Sequence, residues 1–208
     1  MSETSLQDRL GYQSLFLGVV VFVTCALLAF AYQMTREPIR LALENDLLNN
    51  FSQVLPAEIY DNNLLETKTD IQAPWGEFSW YQASLNDEVT GVVFPLTAYG
   101  YAGDIEMLIA VRSNGEISGV RVLVHRETPG LGDKIEVSRD PWITEFNGLS
   151  LQDPPPSDWG VKKDGGVFDQ FTGATITPRA VVAAIKRGLE FFEAEKATFL
   201  TPVALSEE

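Results

Sequence analysis

The chain has 208 residues, of which 45% are hydrophobic, and a formal net charge of −14. That length allows one domain, or one domain with an appendage. So acidic a balance argues against nucleic acid as a partner, since phosphate binding needs a basic face. Cys25 is the only cysteine, so no intrachain disulfide forms.

The appendage comes first. Residues 10 to 35 carry no charge, and their centre reads SLFLGVVVFVTCALLAFAY, residues 14 to 32. Roughly 20 helical residues span a hydrocarbon core of about 30 Å. The Leu, Phe and Val side chains of 15 to 31 contribute roughly −3 to −7 kcal/mol on the insertion scale. The pattern predicts a tail over 1–13 and a transmembrane helix over 14–35, with membrane lipid as its surroundings. A cleaved signal peptide is the competing reading, because Ala29-Phe30-Ala31 has the small-x-small form of a cleavage site. Against it stand an n-region whose only basic side chain is Arg9 and an apolar run longer than the usual ~7–15 residues. Arg9 on one side and Arg36 and Arg40 on the other leave the orientation open by charge counting. Glu3 and Asp8 balance Arg9 and Arg36, so the whole −14 falls after residue 36.

Pro38 opens PIRLALENDLLNNFSQVLP, where Leu41, Leu47, Leu48, Phe51, Val54 and Leu55 recur at helical spacing. This predicts an amphipathic juxtamembrane helix within 36–56, starting at Pro38 as its first residue and ending before Pro56. Its apolar stripe would dock on the domain that follows, over 57–208. Residues 57 to 75 read as loop with one short strand. From 77 to 126 the periodicity changes: FSWYQASL, VTGVVFPLTAY, IEMLIAVR and ISGVRVLVH are β-branched and aromatic, with turns at Asn86-Asp87 and Asn114-Gly115. About four antiparallel strands are expected. QDPPPSDWGVKKDGG reads as loop with a short strand at 159–162. Finally Val181, Val182, Ile185, Leu189 and Phe192 share one face of a helix from Pro178 to about Glu195, with Thr177 as N-cap and Pro178 as first helical residue. The result is an α+β domain: an antiparallel sheet with flanking helices behind one membrane helix.

The chain has one histidine and no CxxC, HExxH, GxxxxGK[ST] or Rossmann fingerprint. That excludes metal centres built on His or Cys and nucleophilic triads. Two stretches stand out. HRETPGLGDK, residues 125 to 134, ends the fourth strand; its glycines allow a sharp turn and close approach to a flat ligand, or mark an ordinary surface loop. His125 lacks an evident partner that would make it a base. DQFTGATIT, residues 169 to 177, crowds a helix entrance with three threonines. A helix N-terminus favours a phosphate, and Lys162 and Lys163 lie just upstream; equally, Thr177 caps the helix and Thr172 and Gly173 make a turn.

Asp169-x-x-Thr172-Gly173-Ala174-Thr175 resembles the flavinylation motif of the FMN-binding domain family. The resemblance implies FMN, one per chain, joined through its phosphate to Thr175, with Asp169 read by a flavin transferase that uses FAD as donor. Glu127, Thr128, Gly130, Leu131 and Gly132 match the family's Glu-Thr-Pro-Gly-Leu-Gly loop, whose backbone is expected against the isoalloxazine ring. Anchor, helix and domain together are similar to the G subunit of Rnf electron transport complexes, along essentially the whole chain. That implies an electron relay between ferredoxin and NAD, coupled to ion transport and without substrate bond chemistry of its own. It also implies a domain on the periplasmic side of the inner membrane, with the complex's membrane and peripheral subunits as partners. The C subunit of the sodium-pumping NADH:quinone reductase shares the anchor and the motif but is usually longer. An anchored assembly module without a redox role, or a flavin reductase, are the alternatives of a different class.

Overall fold

The computed structural model describes residues 4–203. The first three residues of the expected tail and the last five of the expected domain lie outside the described residues.

One α-helix, α1, runs over Thr4–Val54 without a break, 51 residues with Pro38 inside it. This corrects the expected start of a second helix at Pro38. An interior proline costs a helix about 3 kcal/mol, through one missing N–H and a clash with the preceding turn. Here the next turn is braced by Arg40, which reaches back to Glu37 and forward to Glu44 at 2.6 Å. Between Gly11 and Val54 the helix is long and apolar enough to cross a membrane, and its most apolar window is wholly unburied. Exposed Leu15, Phe16, Phe22, Leu28 and Phe30 suit hydrocarbon rather than water.

The chain divides into two compact units after Asp46. In the second, five strands form an antiparallel meander in the order β1 (Thr69–Ala73), β2 (Gly76–Leu85), β3 (Glu88–Tyr99), β4 (Asp104–Arg112) and β5 (Ile117–Val124). β1 is the short strand expected within 57–75. The β2–β3 turn puts both Asn86 and Asp87 at positive φ, 53° and 65°, as a two-residue type I′ hairpin requires. The β4–β5 turn differs: only Gly115 is left-handed, at φ 93°, behind an Arg112–Gly115 turn bond of 2.8 Å. That is a three-residue hairpin loop with a glycine bulge.

Alternation along β3 sends Val92, Phe94 and Leu96 to one face and Val93 to the other. On the first face lies α2 (Ile176–Ala194), burying Val181, Val182, Ile185, Leu189 and Phe192 as the spacing predicts. The short α3 (Lys196–Leu200) adds Phe199, which packs against Trp80, Phe94 and Phe192. On the second face Phe51 and Val54 at the end of α1, and Leu55 just after it, pack with Ala83, Val93, Leu108 and Ala110. Phe51, Val54 and Leu55 are therefore core, whereas Leu41 and Leu48, from the same expected stripe, are exposed.

Between β5 and α2 the chain forms turns around an aromatic cluster. Phe146 stacks on Phe168 at 4.6 Å and meets Trp142 edge-on at 5.2 Å, while Trp159 lies 5.2 Å from Phe168. The expected strand at 159–162 is replaced by a single parallel bridge, Val161 to Phe168, and a 3-10 turn over Lys162–Asp164. Three prolines before it and Gly165-Gly166 after it leave no run long enough for a ladder.

Candidate functional site

The glycine-rich loop leaves β5 and folds back on itself. The Leu131 and Gly132 N–H groups both donate to the Thr128 carbonyl, at 3.1 and 3.0 Å, with Gly130 at φ 77°. Glu127 is buried, 4% exposed, and its carboxylate is turned inward. Oε1 accepts the Ala102 N–H at 3.0 Å, and Oε2 accepts the Thr177 hydroxyl. Gly132 is required by this packing: a Cβ there would lie 2.9 Å from Glu127 Cβ and Oε2 and 3.1 Å from Thr177 Oγ1.

The second stretch is anchored from its upstream end. The Trp142 indole N–H donates to the Asp169 carbonyl at 3.0 Å, and the Trp142 and Phe171 rings meet edge-on at 5.0 Å. Phe171 to Ala174 then makes a tight turn, closed by an Ala174 N–H to Phe171 carbonyl bond of 3.1 Å, with Gly173 left-handed at φ 82°. The turn delivers Thr175 to the head of α2. Arg179, one turn into the helix, pairs with Asp164 and holds that carboxyl below its usual range.

Thr177 is not the N-cap expected from its place before Pro178. The helix begins at Ile176, and Thr177 sits in its first turn, fully buried, with its hydroxyl committed to Glu127. Pro178 is then the third helical residue, where its missing N–H is still one the helix would leave unpaired. Thr175 holds the cap position but makes no side-chain cap bond. One threonine hydroxyl is thus used by the fold and the other, two residues earlier, is not.

A cavity of about 350 Å³ opens between the two stretches. Glu127, Thr128, Leu131 and Gly132 form one wall, Gly173, Ala174, Thr175, Ile176 and Thr177 the other, and Tyr101 stands at the rim. The volume lies within the ~300–1,000 Å³ usual for small-molecule sites. Leu131, Ile176 and Tyr101 expose apolar surface around it, Tyr101 to 72%, which suits a flat ring system. The unpaired N–H groups at the start of α2 suit a phosphate.

Of the residues singled out in the sequence, Gly130, Lys163, Asp169 and Thr172 do not line this cavity. Lys163 is exposed on the 162–164 turn, its backbone N–H on the Gln170 side chain at 3.2 Å. Lys162 pairs with Asp169 at 2.7 Å on the surface. Burial, and secondarily the Asp169 charge, raise the nearby Glu145 carboxyl. Tyr101, Ile176 and the lining role of Thr177 escape sequence reasoning. Tyr101 sits in a glycine-flanked hairpin turn, and the YGYAG pattern is the one signal that could have marked it.

Residues 100–190 match the FMN-binding domain family, a span that contains both stretches and every cavity-lining residue. The fold is that of an FMN-binding domain, and the cavity between the two stretches lies within the matched span. Along its length the chain is 50% identical over 192 residues to the G subunit of the ion-translocating oxidoreductase complex of Cereibacter sphaeroides, covering 92% of this chain and 88% of that one. It is 46% identical over 186 residues to the same subunit of Stutzerimonas stutzeri, covering 89% and 82%. The chain belongs to the family of G subunits of ion-translocating oxidoreductase complexes. Its fold is also that of the C subunit of the Na(+)-translocating NADH-quinone reductase of Parabacteroides distasonis, with a TM-score of 0.53 at 17% identity over 80% of this chain and 97% of that one.

Proposed function

We propose that this chain holds one FMN by a phosphoester to Thr175 and serves as an electron relay in an Rnf-type ion-translocating complex. The observation that carries the reading is the contrast at the head of α2. Thr177 gives its hydroxyl to Glu127, while Thr175, on the wall of the cavity, caps nothing. FMN would supply one- and two-electron redox chemistry; the protein contributes position and electrostatics. In attachment, the Thr175 oxygen forms the new bond to phosphorus, the pyrophosphate of FAD breaks, and AMP leaves as the hydroxyl proton is released. The product phosphodiester carries about one negative charge, which a helix N-terminus favours by roughly 0.3–1 kcal/mol. Glu127, Gly132 and Leu131 shape the opposite wall for the ring, and α1 anchors the domain, on the periplasmic side, beside the membrane subunits of the complex.

Intact mass tests the reading. A chain made in a host with a flavin transferase should gain the mass of one FMN, and the same chain from a host without the enzyme should not; a bare chain from both hosts overturns the relay. Asp169 is exposed and away from the cavity, so its proposed role is recognition by the transferase. Asp169→Ala should lower flavin occupancy several-fold while leaving the thermal midpoint within a few degrees of the parent, because surface changes cost at most about 0.5 kcal/mol. Full occupancy in that variant contradicts the role.

A further inference from the structure

His125, the only histidine of the chain, lies between β5 and the glycine-rich loop with its side chain 12% exposed. Its Nδ1 accepts the Glu127 backbone N–H at 3.1 Å, and its Nε2 lies 2.5 Å from Glu136 Oε1. A backbone N–H only donates, so Nδ1 must be bare and the neutral ring carries its proton on Nε2, pointed at the Glu136 carboxylate. The next link is Glu127 itself, whose buried carboxylate takes the Ala102 N–H beside rim residue Tyr101 and the hydroxyl of Thr177, two residues from Thr175.

We propose that His125 is a positioning residue for the flavin pocket: as the neutral Nε2–H tautomer it holds the Glu127 backbone, and through Glu127 both walls of the cavity, and it releases that hold on protonation. The inference rests on the flavin reading of the cavity. Protonation adds a hydrogen at Nδ1, which then faces the Glu127 N–H, donor against donor at 3.1 Å. The other end of the ring does not change. Hydrogen bonding from His125 keeps the Glu136 carboxyl below its ordinary range, helped by Ser138 and opposed by burial, so Glu136 stays ionised and accepts from Nε2–H in both states. The charged groups near the ring are Glu136 from the loop after the 133–135 turn, Arg139, which also lowers Glu136 through its charge, and Arg121 from β5, which lines the same hollow with the neutral Gln53 of α1; the Glu127 carboxylate is turned away. The hold therefore belongs to the neutral ring and is lost in the protonated one.

The test uses the full-length flavinylated chain in detergent, with histidine labelled by 15N. The single ring should show a bare Nδ1 at neutral pH. On acidification the ring and the flavin fluorescence should change together, with one shared midpoint and a one-proton slope. In His125→Asn the side-chain oxygen takes the place of Nδ1 without titrating, so the flavin signal should stay flat at its high-pH level; in His125→Ala it should sit at the low-pH level throughout. A protonated Nδ1 at neutral pH, a flat flavin signal while the wild-type ring titrates, or a His125→Asn curve that follows wild type would each overturn the proposal. A chain of bare mass whose ring still shows the bare Nδ1 supports the bond to Glu127 and overturns only the flavin reading.

Discussion

Thr175→Ala is expected to abolish covalent flavin while leaving the fold intact. Denaturing gels of wild type from a transferase-containing host should fluoresce under ultraviolet light, and the variant's should be dark. The loss is chemical, because the Thr175 hydroxyl makes no cap bond and the helix already begins at the next residue. Its removal should cost well under the ~1 kcal/mol of losing a working threonine cap. Thr177→Val makes the opposite prediction. That hydroxyl is a buried donor to a buried carboxylate, and losing a hydrogen bond to a charged group costs about 1.5–3 kcal/mol. The valine variant should unfold at lower urea yet still accept flavin at Thr175. A fluorescent Thr175→Ala band refutes the assignment of the attachment residue.

Trp142→Ala is expected to have the largest effect on stability and to reduce flavinylation with it. The ring is 3% exposed and packs against Phe146 and Phe171, so truncation carries the usual cost of about 3–5 kcal/mol for a buried tryptophan. It also orphans the Asp169 carbonyl, which the indole N–H satisfies. Both losses fall on the segment that presents Thr175. Trp142→Phe keeps most of the packing and loses only the N–H, so it should recover most of the stability in urea unfolding and show intermediate flavin occupancy. Equal occupancy in wild type and Trp142→Ala would mean that the cluster does not position the attachment segment.

The local half of this structure was legible in the residues. Spacing marked the buried face of α2, alternation marked the strands, and Asn-Asp and Asn-Gly marked the β2–β3 and β4–β5 turns. The motif stretches fell on the two facing walls of one cavity. At Thr177 a local rule was overridden by a distant partner. Thr177 reads as a cap because threonine precedes proline, but a carboxylate 50 residues earlier takes its hydroxyl. Pro38 reads as a helix start because proline favours first turns, yet it lies inside a 51-residue helix whose next turn is braced by Arg40. His125 shows no partner in sequence because Glu136 reaches it only when the chain folds back after the glycine loop. Lys163 looks close to Thr175 along the chain, but the 3-10 turn at 162–164 leaves it exposed and off the cavity wall.

The most direct test of the central claim is peptide mapping of the wild-type chain from a transferase-containing host, by proteolysis and fragmentation mass spectrometry. One FMN should be found on the peptide that contains DQFTGATIT, with fragment ions assigning it to Thr175. FMN on Thr172 or Thr177, or an unmodified peptide from a host shown to flavinylate other substrates, would contradict the account.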